Sequence, residues 1–77
     1  MKFELFERVI LGHDLPEENL RAGDVGVVVE LYGDEGLEVE FISASGDTQA
    51  VVTLDVGDVR EASADDMLAV RPLRAAS

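Results

Sequence analysis

The chain has 77 residues and no cysteine, so disulfides and thiolate metal sites are excluded and one domain with one small core is expected. Seventeen acids against six bases give a formal net charge of −11, spread from Glu4 to Asp66. Such a surface repels the phosphates of nucleic acid and anionic lipid, and leaves a basic protein as the complementary partner or solubility as the sole use of the charge.

The first eleven residues mix Glu4, Glu7 and Arg8 into their apolar positions, unlike a signal peptide or a membrane span, which predicts an intracellular, cytoplasmic protein. Residues Phe6 to Gly12 read as a first strand with Val9 and Leu11 inward. The loop Asp14-Leu15-Pro16-Glu17-Glu18-Asn19-Leu20 carries proline where a single helical turn begins and acids near its positive end. Leu15 and Leu20 would tuck this loop against the body and leave Glu17 and Glu18 in water.

Arg21 to Tyr32 is the strongest local statement, a glycine turn feeding a β-branched run. Val25, Val27, Val29 and Leu31 make one apolar face, and Gly26, Val28, Glu30 and Tyr32 make a face that turns polar toward its end. Gly33 to Gly36 suits a hairpin, and Leu37-Glu38-Val39-Glu40-Phe41 then alternates cleanly, with Leu37, Val39 and Phe41 inward. A turn over Ser43 to Asp47 joins this strand to Gln49 to Leu54. Asp55 to Arg60 is ambiguous between a bent strand and a loop. Ser63 to Asp66 suits a short helical start, and Met67 to Leu73 a last strand, with 74–77 frayed.

Five short strands with a helical or 3₁₀ turn before the last predict an all-β fold, a small SH3-like five-stranded barrel formed as a single domain over residues 1–77. Val9 and Leu11, Asp14-Leu15-Pro16 with Leu20, Ala22-Gly23-Asp24-Val25-Gly26 with Val28-Val29-Glu30, Glu38 to Phe41, Gly46 with Thr48, and Thr53-Leu54 form a spaced set. Over most of its length the chain therefore resembles the small bacterial domain of unknown function family numbered 4926. The resemblance implies an SH3-like barrel and transfers no activity. The genomic setting of such genes, beside toxin or immunity components, implies an antitoxin-like or immunity-like role.

No residue set reads as catalytic, cofactor-binding or metal-ligating. His13 stands in a glycine-aspartate turn without a nucleophile or an orienting group, and reads as a solvated turn histidine. Asp34-Glu35 and Asp65-Asp66 fall short of the 6–8 oxygens that a calcium ion requires. Glu30, Glu38 and Glu40 should meet on the outer face of the hairpin, where like charges weaken a ladder unless an arginine (Arg8, Arg60 or Arg71) or a basic partner answers them. The partner-binding candidates are thus Glu30, Tyr32, Glu38 and Glu40, with Asp14, Glu17 and Glu18 of the acidic loop. A non-enzymatic protein-interaction module follows. Two other readings are a nucleic-acid-associated barrel, from the KOW-like turn Gly23 to Gly26, and a homo-oligomer formed through residues such as Ile42 and Val51.

Overall fold

The computed structural model describes residues 2–42 and 48–63. Its elements are β1 (Arg8–Leu11), the 3₁₀ turn η1 (Pro16–Glu18), β2 (Val25–Tyr32), β3 (Gly36–Ile42), β4 (Thr48–Asp55), the 3₁₀ turn η2 (Val56–Asp58) and β5 (Val59–Glu61). All five strands belong to one antiparallel sheet in the order β4-β3-β2-β1-β5. The fold is all-β, and the expected barrel is not closed: β4 and β5 are the two ends of the strand order, and no ladder joins them among the described residues.

The core forms where the strands alternate. Val9 and Leu11 of β1, Leu37, Val39 and Phe41 of β3, Leu54 of β4 and Val59 of β5 are buried together with Phe3, Leu20 and Val28. Each such side chain stabilises the fold by roughly 1.5–3 kcal/mol relative to exposure. Leu15 packs partly against this core while Glu17 and Glu18 stay exposed, as the loop pattern predicts.

Strand β2 departs from its simple alternation. The buried positions are Gly26 and Val28, from the face expected to be the less apolar, while Val25, Val27 and Val29 are only half-buried. A register shift explains this. Val28 pairs with Val39 and Glu30 with Glu38, so Val29 is an extra residue that exchanges the faces and brings Leu31 back onto the core opposite Leu37. β-Branched residues on both faces of β2 hide the exchange from a count of alternation.

A second irregularity lies before β1. The Phe6 N–H donates to the Val28 carbonyl at 2.6 Å and the Val28 N–H donates to the Glu7 carbonyl at 3.0 Å, so two residues oppose one. Phe6 has φ of 69°, the left-handed backbone that glycine usually supplies at a bulge, and its ring is 73% exposed.

Asp55 to Arg60, ambiguous in the sequence between a bent strand and a loop, contains the 3₁₀ turn η2 and the start of β5; among the described residues β5 is the last strand of the sheet, and it pairs with β1 through Val9–Glu61, Ile10–Arg60 and Leu11–Val59. Asp55 and Asp58 form a reciprocal capping box that ends β4 and starts the turn. The segment Met67 to Leu73 lies outside the described residues.

Candidate protein-interaction face

The glycine turn that dominates the sequence is accounted for by backbone geometry. Gly23 has φ of +95° and donates its N–H to the Leu11 carbonyl at 2.8 Å, closing the loop onto β1. The Asp24 carboxylate accepts the Arg21 N–H at 2.9 Å. At Gly26, a Cβ would lie 2.5 Å from Val39 Cγ1 and 2.9 Å from both Phe41 Cδ1 and Cε1, so only glycine lets β2 lie this close to the β3 side chains.

The acidic loop is likewise occupied in part by its own structure. Asp14 accepts the Ala22 N–H at 2.9 Å through Oδ1, and Leu15 and Leu20 form an isolated bridge. Asn19, at φ of 59°, closes η1 by donating its N–H to the Pro16 carbonyl. Glu17 and Glu18 project from this turn into solvent.

His13 has partners that its neighbours in sequence do not reveal. Its Nε2 lies 2.9 Å from Asp58 Oδ1 and its Nδ1 lies 3.1 Å from the Asp14 carbonyl. Both ring nitrogens therefore face acceptors, an arrangement satisfied in full only by the imidazolium. The Asp58 hydrogen bond first, and the Asp14 carbonyl second, raise the His13 pKa above its usual value. Asp58 is held below the ordinary carboxylate range, chiefly by the Asp55 N–H on Oδ2 and then by His13. Asp58 also accepts the Gly12 N–H through its carbonyl, so this residue ties the end of β1 to η2. The pairing spans 45 positions and has no local sequence signal.

The outer face of β2 and β3 holds the remaining candidates. Glu30 stands directly opposite Glu38, and Tyr32 lies two pairs further along on the same face, opposite Gly36. The Tyr32 hydroxyl donates to Glu38 Oε1 at 2.6 Å, and this bond is the main reason that its pKa is raised. Glu40 lies between Val27 of β2 and Val51 of β4. Arg8 pairs with Val27, which places it in the same transverse row as Glu40. Arg60 is on β5 at the far side of the sheet, and Arg71 lies outside the described residues. Glu30, Tyr32, Glu38 and Glu40 are thus brought together, whereas Asp14, Glu17 and Glu18 belong to the loop that enters the opposite end of β2.

The profile of a domain of unknown function family, DUF4926, matches residues 5–61. The chain belongs to this family. The match covers every described strand, from the bulge at Phe6 to the end of β5. No curated protein and no solved structure matches the chain. Among the described residues, no group of three or more acidic or histidine side chains is placed to hold a metal ion, and no helix is long and apolar enough to cross a membrane.

Proposed function

We propose that this DUF4926 chain is a small acidic, non-enzymatic module that binds a basic protein through the outer face of β2 and β3. The observation that carries this reading is the direct pairing of Glu30 with Glu38 on adjacent strands, capped by Tyr32. Like charges opposite one another weaken a ladder, and a cationic partner converts that cost into affinity. Tyr32, 48% exposed and fixed by its hydroxyl, supplies a rigid amphipathic ring at the end of the stripe. The acidic loop with Glu17 and Glu18 extends the same potential around the body of the protein.

An antitoxin-like or immunity-like role in a bacterial cytoplasm is the biological form of this proposal, with the product of a neighbouring gene as the partner. Capture of that product by the wild-type chain, together with rescue of growth on co-expression, supports the proposal. Loss of both on Glu30→Lys with Glu38→Lys, in a protein that remains folded, locates the contact. Capture that is indifferent to these reversals and to salt refutes it.

A homo-oligomeric role is the second reading, favoured by the exposure of Ile42 and Val51, each about half accessible on the outer side. A mass that rises with concentration in light scattering supports it, and a constant monomer mass removes it.

A further inference from the structure

We infer that the β4 edge receives an extended strand of the partner, one in which basic residues alternate with apolar ones. This inference rests on the basic-partner reading above and adds the mode of binding. The two edges of the sheet differ in a way that singles out β4. Strand β5 is short, three residues long, and its Arg60 and Glu61 are exposed, so it is a poor template for another chain. Strand β4 runs for eight residues, Thr48–Asp55, and among the described residues its one ladder is with β3. Its sequence Thr-Gln-Ala-Val-Val-Thr-Leu-Asp contains no lysine, proline or glycine, and its single charge is the terminal Asp55. Its one register shift falls at the start of the strand, where Gln49 is the extra residue opposite Ile42, and Ala50 to Asp55 pair without interruption, free of the lysine, proline or bulge that blunts a long edge.

The side chains on the two faces of β4 set the pattern that an added strand must carry. Toward the core, Ala50 and Val52 are half-buried and pack against the core cluster along this end strand of the sheet. Apolar residues of an added strand would complete their burial. On the outer face, Val51 is 49% exposed and pairs with Glu40, while Thr53 is exposed and pairs with Glu38. Neighbouring strands lie about 4.8 Å apart, so these glutamates sit roughly 10 Å from the backbone of an added strand. Long basic side chains lying over Val51 and Thr53 span that gap and bring their charge to Glu40 and Glu38. Strand addition supplies affinity through the main chain, and the alternation supplies specificity. A second copy of this chain is disfavoured as the occupant, because it would bring another −11 charge to the same face.

The test uses the full chain, isotopically labelled, and two synthetic peptides: four Lys-Val repeats, and four Lys-Pro repeats of equal charge whose prolines cannot donate to a ladder. The Lys-Val peptide is expected to bind at least about tenfold more tightly and to slow exchange of alternate β4 amides. Val51→Lys, at an exposed position, should remove this preference without unfolding the protein. Equal binding of both peptides without protection of β4 overturns strand addition and leaves recognition of a basic partner standing. Failure of both peptides to bind overturns both. Full β4 protection before any peptide is added, whether independent of concentration (residues 64–77 of the same chain) or dependent on it (a second copy), also overturns the inference.

Discussion

Replacing Gly26 by alanine should destabilise the fold, although the same change usually stiffens a strand. Two terms oppose one another. Removing glycine reduces the freedom of the unfolded chain, which stabilises by about 0.4–1 kcal/mol where the new side chain fits. Here it does not fit, because its Cβ would meet Val39 Cγ1 at 2.5 Å and two Phe41 ring carbons at 2.9 Å. Val39 and Phe41 are almost wholly buried, at 0% and 2% exposure, and Gly26 is ladder-paired with Phe41, so neither the side chains nor the backbone can yield cheaply. Overpacking of this kind costs typically about 1–3 kcal/mol, leaving a net loss of about 1–2 kcal/mol. For a domain of this size each kcal/mol lowers Tm by about 4–8 °C. Urea unfolding followed by the fluorescence of Tyr32, the sole tyrosine in a chain without tryptophan, measures the loss directly. Val39→Ala removes the nearest clashing methyl, so the double variant should be less damaged than the sum of the two single changes. A Gly26→Ala protein as stable as wild type, or strictly additive changes, would refute the packing argument.

Three further outcomes follow from the described contacts. The Tyr32 hydroxyl should ionise above pH 10 in an absorbance titration and return toward 10 in Glu38→Gln; an unchanged midpoint would show that the bond to Glu38 is not formed in solution. The raised pKa of His13 means that its contribution to stability is complete below about pH 6.5 and is lost as pH rises through the higher folded value. The lowered pKa of Asp58 means that its own contribution is present above the ordinary carboxylate range and lost on acidification. The clamp is therefore strongest at mildly acidic pH, and Asp58→Asn should return the His13 midpoint, followed by magnetic resonance, toward 6.5; a midpoint that stays raised would contradict the pairing. At Phe6, substitution by glycine relieves the left-handed backbone and should stabilise by about 0.5–1 kcal/mol after the entropy of glycine is subtracted. A loss of stability in Phe6→Gly would show that the exposed ring contributes packing.

Strand β3 is legible in the sequence because Leu37, Val39 and Phe41 alternate with glutamates, and periodicity of two has one structural meaning there. The meeting of Glu30 with Glu38 is legible for a related reason, since the Gly33 to Gly36 turn leaves little choice of register. The inward face of β2 is not, because valines occupy both faces and the bulge at Val29 leaves no mark in composition. Strand β5 is too short, at three residues, for any alternation to show. Phe3 precedes the first strand, and its burial depends on tertiary packing against the core cluster rather than on any local pattern. The joining of His13 to Asp58 depends likewise on tertiary closure, which brings the end of β1 to η2. The uneven edges emerge only once the strand order is known, although each residue of β4 was in view from the start.

The claim that an acidic outer face recognises a basic protein is tested most directly by titration calorimetry with the purified partner, at low and high ionic strength. Wild-type chain is compared with Glu30→Lys combined with Glu38→Lys. Exposed opposite charges are screened over about 8 Å at physiological salt, so the wild-type affinity should fall steeply as salt is added. The reversed variant should bind at least about tenfold more weakly at low salt and lose most of the salt dependence. Equal affinities for the two proteins, with both folded, would contradict the assignment of this face.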